Sequence, residues 1–323
     1  MFDYSIFYSI TLGMIAVVGM FLGLSVALYF LLKGADFFVQ GASVLGRFYR
    51  LPYFLIGVIF LGLGTSLPEL IAGLFAGFQG STEFIIANIV GSNIANVFLI
   101  GGVLLLFLYK TTEKIAISLL DSVFLLLSLL LFLFISVYTQ TTFYTGLLLL
   151  LLGGVYFFTI SSSESSEFDT VSPNIPYYEA LTYLVAGLLV TLIAARYTVA
   201  FSTDIATFFG ISVSVVALVI VALGTSLPEL VVTFQSVKNN QPMLGFGNIV
   251  GSCFFNITLV LGIPALLFTV PVALPNQLLS ILIFVSATVL LLLVMVDKVH
   301  ARSIGVMFLI LYSIYILSIW VML

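Results

Sequence analysis

The chain has 323 residues, of which 62% are hydrophobic and only 7% are charged, and its mean hydropathy is +1.33. A water-soluble domain carries about 25% charged residues, so this composition excludes a soluble fold. The net charge is −4, and no basic stripe marks a nucleic-acid partner. The apolar stretches are continuous rather than alternating, which favours transmembrane helices over a β-barrel. We therefore expect an all-α polytopic membrane protein whose main surroundings are the lipid bilayer.

Apolar windows of about 20 residues predict ten transmembrane helices joined by short loops. The predicted spans are 12–33, 53–78, 84–108, 115–137, 142–160, 178–199, 211–236, 243–268, 277–296 and 302–322.

The basic residues predict the orientation of these spans. If the N-terminus lies outside, eight of the nine Lys and Arg residues fall on the inner side, and only Arg196 falls outside. We therefore expect a protein of the inner or plasma membrane with both termini outside. The inner set comprises Lys33, Arg47, Arg50, Lys110, Lys114, Lys238, Lys298 and Arg302.

The longest break between apolar segments is Ser161–Pro176, which is rich in Ser, acidic and free of Lys and Arg. Its composition predicts a cytoplasmic linker. The linker divides the chain into a first five-helix repeat at 1–160 and a second at 177–323, with 161–176 between them.

Two pairs of segments nearly repeat each other. GTSLPEL occurs at 64–70 and again at 224–230, and NIVGS occurs at 88–92 and again at 248–252. Corresponding residues, such as Glu69 and Glu229, are all 160 positions apart. Five spans separate the copies, and because five is odd, the second copy must enter the membrane from the opposite side. This is the inverted-topology repeat found in secondary transporters, whose site lies near the midplane.

Each GTSLPEL motif predicts a broken helix. Pro68 has no N–H, so the carbonyl of Gly64 loses its helical partner, and Gly64 itself loosens the backbone. Irregular backbone at this depth is tolerated only where it is buried in protein or lines a cavity.

The motif also places Glu69 and Glu229 near the middle of their spans. A carboxylate there costs about 2.5–3.5 kcal/mol on insertion scales, and no intramembrane Lys or Arg is available to pair with it. A mobile cation is the simplest missing partner. The alternative is a pair of protonated glutamic acids that only join helices.

The following span supplies further oxygen atoms on one helix face. Asn88, Ser92 and Asn96 are spaced four residues apart, as are their copies Asn248, Ser252 and Asn256. Hard cations such as Ca²⁺ prefer such oxygen ligands, and the lack of a His or Cys cluster argues against Zn²⁺, Cu⁺ and Fe. Interhelical hydrogen bonding is the alternative for the serines and asparagines, and we favour it for Asn88 and Asn248.

These duplicated motifs closely resemble the two α-repeats of the cation/Ca²⁺ exchanger superfamily, especially short prokaryotic-type Na⁺/Ca²⁺ exchangers. The similarity covers nearly the whole chain. It departs at Cys253, where an asparagine is usual, and at Asn256, where some relatives have an acid.

The resemblance implies a ligand set and a mechanism. Glu69 and Glu229 would be the central Ca²⁺ ligands, and the first and sixth helices would slide across the core. The remaining implied ligands, for Ca²⁺ and Na⁺ together, are Thr65, Thr225, Ser66, Ser226, Ser92, Ser252, Asn96, Asn256, Gly62 and Ala222. We expect no tightly bound cofactor and no obligate protein partner.

The main prediction is therefore a secondary antiporter that exchanges Na⁺ for Ca²⁺ by alternating access. An antiporter exchanging H⁺ for Ca²⁺ or another divalent cation on the same fold is the closest alternative, and a channel is not excluded by sequence. An intramembrane enzyme is disfavoured, because no pair of mid-span aspartates or membrane-embedded histidine is present.

Overall fold

The computed structural model describes residues 4–108, 119–161, 175–210, 226–272, 278–296 and 301–322. Within these ranges the secondary structure is helical, apart from an isolated β-bridge between Gln140 and Pro271. The α-helices are α1 (Tyr4–Phe48), α2 (Tyr53–Ile56), α3 (Leu63–Thr65), α4 (Leu67–Phe78), α5 (Glu83–Ile94), α6 (Gly102–Leu108), α7 (Leu119–Val137), α8 (Phe143–Ser161), α9 (Tyr177–Phe208), α10 (Leu227–Lys238), α11 (Pro242–Phe255), α12 (Gly262–Leu267), α13 (Leu278–Val296) and α14 (Ala301–Met322). Wide π-helical turns at Gly57–Gly62, Ala95–Gly101 and Asn256–Val260 join α2 to α3, α5 to α6 and α11 to α12.

Eight helical stretches of the described chain are long and apolar enough to cross a membrane, and Arg302–Ser318 is a shorter apolar helix. The chain is thus a multi-pass, all-helical membrane protein. The seventh predicted span, 211–236, lies mostly outside the described residues, and α10 forms its final part.

The first predicted span was wrong in its boundaries. Helix α1 runs without interruption past the predicted end at Lys33, so Asp36 lies within the helix. Two contacts explain this continuation. The Asp36 carboxylate accepts a hydrogen bond from Asn239 Nδ2 at 3.1 Å, and Gly34 lets the backbone of Thr191 approach closely.

Helices α2–α4 and α11–α12 run parallel to each other. The rings of Phe54 and Phe246, near the two starts, are 6.4 Å apart, and those of Phe78 and Phe268, at the two ends, are 5.1 Å apart. Helix α10 leads directly into α11 through a short turn at 239–241, so α10 approaches the side of the membrane from which α2 and α11 depart.

The connections at the other side are joined by backbone hydrogen bonds. Thr141 donates to the carbonyl of Val270 at 2.8 Å, and Val272 donates to the carbonyl of Thr139 at 2.8 Å. The loop after α7 and the loop after α12 therefore lie on one side, as the predicted topology requires.

A seam of small residues joins the two halves of the chain in the core. Gly251 lies against Val58, where an added Cβ would be 2.8 Å from Val58 Cα, and Gly62 lies against the backbone of Ser252 in the same way. At the other end of the seam, Gly57 lies against the backbone of Leu244. Such close backbone approach is how helices associate in membranes, where lipid is as apolar as the side chains.

Helices α1 and α9 form a pair that packs against this core. The backbone of Gly187 in α9 touches that of Phe38 in α1, and Phe38 in turn reaches Gly64 at the start of the broken motif. Many of the other side chains of α1 and α9 are exposed at the lipid-facing surface.

Candidate ion-binding site

The serine before the proline marks a break in the helix at Ser66, and its copy Ser226 directly precedes the start of α10. Ser66 has φ −80° and ψ 0°, and Ser226 has φ −90° and ψ 6°. A new helix then begins, with Pro68 or Pro228 in its first turn, where the missing N–H is tolerated. The break predicted from the sequence is confirmed at Ser66, and the part of the second motif that precedes Ser226 lies outside the described residues.

Glu69 and Glu229 lie in the first turn of α4 and of α10, and both side chains are 0% exposed. The position suits an anion, because the unpaired N–H groups at a helix start carry partial positive charge. Glu69 Oε1 accepts a hydrogen bond from Ser92 Oγ at 3.4 Å. Within the described chain, Glu69 Oε2 and both carboxyl oxygens of Glu229 have no hydrogen-bond partner. Three carboxyl oxygens are therefore buried without a donor.

The asparagines that precede the serines hold the backbone of the glutamates. Asn88 Nδ2 donates to the Glu69 carbonyl at 3.3 Å, and Asn248 Nδ2 donates to the Glu229 carbonyl at 3.2 Å. Asn248 Nδ2 also reaches Thr233 Oγ1 at 3.0 Å. The same bond recurs in both halves of the chain and matches the structural role that the sequence favours for these two residues.

Side chains of the two halves also bond directly to each other. Thr65 Oγ1 lies 3.2 Å from Asn248 Oδ1 and 3.3 Å from Ser252 Oγ. Ser252 Oγ in turn lies 3.3 Å from the Gly62 carbonyl. The two glutamate sites therefore form one polar centre.

Asn96 and Asn256 lie at π-helical turns and are both 0% exposed. The turn that begins at Asn256 contacts α4, which carries Glu69, and the turn that contains Asn96 contacts α10, which carries Glu229. A π-helical turn widens a helix and often marks a functional site. Both amide atoms of Asn96 and the Oδ1 atom of Asn256 have no partner among the residues described.

The side chains of this centre offer oxygen atoms as cation ligands, and two of these side chains are carboxylates. The described residues contain no group of three His, Cys, Asp or Glu side chains that could hold a metal. The hydroxyls of Ser66 and Ser226 also lack partners there, which adds neutral oxygens beside the carboxylates. Carboxylate, hydroxyl and amide oxygens in a buried site suit a hard cation.

Ten of the twelve predicted site residues lie in the described chain, and all ten are buried. Thr225 and Ala222 lie outside the described residues. Sequence reasoning missed Asn93, which is 0% exposed and contacts Asn256, and Asp121, which is 2% exposed and accepts a 2.8 Å hydrogen bond from Tyr156. The signal that could have identified Asn93 was its place inside the repeated motif, where the second copy has Cys253 instead.

The profile of the family described as "Sodium/calcium exchanger protein" matches this chain twice, over residues 19–161 and 179–321. The chain belongs to the sodium/calcium exchanger family. It is therefore a membrane transporter and not an enzyme.

Individual relatives are similar along most of their length. The sodium/calcium exchanger MaX1 of Methanosarcina acetivorans is 30% identical over 297 residues, which cover 78% of this chain and 84% of that protein. The inner membrane protein YrbG of Escherichia coli is 31% identical over 265 residues, covering 76% and 78%. The structure of the sodium-calcium exchanger NCX_Mj, soaked with zero Na⁺ and Ca²⁺, has a TM-score of 0.79 and 29% identity, and the match covers 94% of this chain and 99% of that one.

Proposed function

We propose that this chain is an antiporter that exchanges Na⁺ for Ca²⁺ and binds Ca²⁺ between Glu69 and Glu229. The observation that carries the proposal is the set of three carboxyl oxygens, all buried and without donors in the described chain. A buried carboxylate without a partner is very costly, and a cation removes that cost. MaX1 and NCX_Mj, which are similar over most of this chain, are both named as sodium/calcium exchangers.

Two glutamates supply the two negative charges that neutralise one Ca²⁺. Neutral oxygens complete the coordination, since Ca²⁺ takes about 6–8 oxygen ligands. We assign this role and the flanking Na⁺ sites to the residues predicted from the sequence, namely Thr65, Thr225, Ser66, Ser226, Ser92, Ser252, Asn96, Asn256, Gly62 and Ala222. The ions are transported substrates, and the cycle needs no tightly bound cofactor.

Sodium coupling is favoured over proton coupling by the chemistry of the centre. Of the four central side chains, Glu69, Glu229, Asn96 and Asn256, only the two glutamates can ionise, because an amide neither takes up nor releases a proton near neutral pH. Proton coupling would require both glutamates to be protonated in one half of the cycle. Sodium coupling requires only neutral oxygen sites beside the carboxylates, and the unpaired hydroxyls of Ser66 and Ser226 fit that need.

We further propose that ten spans form two inverted five-helix repeats, with both termini outside. The parallel course of α2–α4 and α11–α12 supports this arrangement. Helix α10, which belongs to the copy of α2–α4, approaches the side from which α2–α4 departs, so the two copies run in opposite directions. The two separate matches to the family profile fall on the two proposed repeats.

Alternating access in this arrangement would move the α1–α9 pair across the core. The pair is held together by close backbone contacts, such as that between Gly187 and Phe38. Its hydrogen bonds to α10 and to Asn239, the residue after α10, are few in the described chain. They comprise Gln235 Nε2 to the Leu32 carbonyl at 3.0 Å and Asn239 Nδ2 to Asp36 at 3.1 Å.

Proteoliposomes test the coupling ion. Vesicles loaded with Na⁺ and diluted into Na⁺-free buffer at equal pH should take up radiolabelled Ca²⁺, and vesicles with no Na⁺ gradient should not. An inside-negative potential should oppose the uptake, and an inside-positive potential should favour it, if more than two Na⁺ leave for each Ca²⁺. Uptake that ignores Na⁺ but follows a pH gradient would replace Na⁺ by H⁺ as the coupling ion.

A further inference from the structure

The two halves of the site differ at one position that lies next to the central amides. Asn93 is followed three residues later by Asn96, and the copy places Cys253 three residues before Asn256. The repeat therefore pairs an amide with a thiol at this position. All four side chains are at most 2% exposed, so the difference lies within the buried centre.

Asn93 makes two hydrogen bonds that fix the direction of its own amide. Its Nδ2 donates to the backbone carbonyl of Cys253 at 3.4 Å, and its Oδ1 lies 3.0 Å from Asn256 Nδ2. A backbone carbonyl can only accept, so the Asn93 atom that faces it must be the NH₂ group. The Oδ1 atom of Asn93 is then necessarily the one that faces Asn256.

The same reasoning fixes the amide of Asn256. The Oδ1 atom of Asn93 faces this amide and can only accept a hydrogen bond, so Asn256 must turn its NH₂ group toward Asn93. Its Oδ1 atom is left on the other side of the amide, buried and without a partner in the described chain. One backbone carbonyl thus determines, through Asn93, which atom of Asn256 is available to an ion.

Asn96 has no such constraint. Neither atom of its amide has a hydrogen-bond partner among the described residues. Cys253, which takes the place of Asn93 in the copy, has only a weak donor and a weak acceptor in its thiol. The two central amides therefore differ, because that of Asn256 is fixed and that of Asn96 is able to turn.

We propose that Asn93 is a positioning residue that keeps the Asn256 oxygen, rather than its NH₂ group, directed at the transported cation. An amide that turns would present two N–H donors to a positive ion, and the ion would then lose one ligand and face partial positive charge. The proposal rests on the proposed function of the site. It adds a residue that touches no ion and acts through Asn256.

Calcium self-exchange tests the proposal without relying on Na⁺. The purified protein is reconstituted with equal unlabelled Ca²⁺ on both sides, no Na⁺ and equal pH, and the exchange of radiolabelled Ca²⁺ gives KM and the maximal rate. Asn93→Ala should raise the KM for Ca²⁺ about tenfold, the scale of one buried hydrogen bond left unmade. The maximal rate should change much less, because the carboxylates remain in place.

A second background separates positioning from a general loss of structure. Asn256→Asp presents an oxygen whichever way the side chain turns, so Asn93→Ala should change its KM by no more than about twofold. An equal rise of KM in both backgrounds would overturn the proposal, since Asn93 would then act on the whole centre. So would an unchanged KM for Asn93→Ala in the wild-type background.

The conservative variant Asn93→Asp provides a rescue that does not depend on the folding of Asn93→Ala. In its protonated form the new carboxylic acid donates its O–H to the Cys253 carbonyl and accepts the hydrogen bond from Asn256 Nδ2 with its C=O oxygen, so the KM should not rise. A rise in Asn93→Asp as large as that in Asn93→Ala would contradict the proposal. If the wild-type protein shows no Ca²⁺ exchange, the proposed function itself is wrong. If it exchanges Ca²⁺ and Asn93→Ala behaves like wild type, only the positioning role is wrong.

Discussion

The hydroxyls of Thr65 and Ser252 lie 3.3 Å apart, although the two residues belong to different halves of the chain. Thr65 precedes the break in the first motif, and Ser252 lies on the helix that follows the second motif. The contact is possible because the glycines beside it, Gly62 and Gly251, bring the two backbones together. The polar centre is thus assembled between the halves, and neither half could form it alone.

This contact predicts that Thr65 and Ser252 are energetically coupled. Thr65→Val keeps the shape of the side chain but removes the hydroxyl, whose single proton faces both the Leu61 carbonyl at 3.0 Å and Asn248 Oδ1 at 3.2 Å. Each of Thr65→Val and Ser252→Ala should destabilise the protein by about 1–3 kcal/mol. The double variant should lose less than the two single losses together, by about 0.5–3 kcal/mol. Thermal unfolding in detergent of the wild type, the two single variants and the double variant measures these losses of stability. Strictly additive losses would contradict the coupling.

The two glutamates should be individually essential for Ca²⁺ transport. Glu69→Gln or Glu229→Gln leaves one negative charge against a divalent ion in a fully buried site, where charge is poorly compensated. Either variant should nearly abolish Ca²⁺ uptake into proteoliposomes while inserting normally, since a buried charge has been removed.

The matched control is Glu83→Gln, which removes an exposed carboxylate at the start of the neighbouring helix α5. This variant should keep the uptake of the wild-type protein. Normal Ca²⁺ uptake by either of the buried variants, at equal amounts of inserted protein, would exclude that glutamate as a central ligand.

The glycine seam should not tolerate a methyl group. A Cβ at Gly57 would overlap the backbone of Leu244, and backbone cannot move aside as a flexible side chain can. Gly57→Ala should therefore lower stability by about 1–3 kcal/mol through overpacking. Gly154→Ala is the control, because an added Cβ there meets nothing within 4 Å. It should be neutral or slightly stabilising, since Ala is the better helix former. Equal melting temperatures for the two variants would contradict the seam.

The orientation follows from the basic residues and is tested by labelling. Single cysteines at Ser81, Tyr178 and Phe209, each in a Cys253→Ser background, occupy exposed positions at helix ends. A membrane-impermeant thiol reagent added outside should label the variants at Ser81 and Phe209 and leave Tyr178 unlabelled until the membrane is opened. Labelling of Tyr178 and Ser81 from the same side would exclude the predicted topology.

The sequence by itself determined the membrane class and the helix break at Ser66, and it predicted the residues of the candidate site. These features are local or periodic. Apolar windows report lipid burial, Pro68 removes a backbone donor wherever it stands, and a carboxylate in an apolar span requires a partner. The repeat also indicated that Glu69 and Glu229 are equivalent residues of one site, because corresponding residues of the two copies keep one constant separation.

Only the tertiary structure decided how the halves meet. The continuation of α1 beyond Lys33 depends on Asn239 and Thr191, which lie far along the chain and compensate for a charge and a glycine that locally indicate a helix end. The role of Asn93 depends likewise on the carbonyl of Cys253. A motif can show that an amide is present, but which of its atoms faces an ion is set by the donor or acceptor that packing places on its other side.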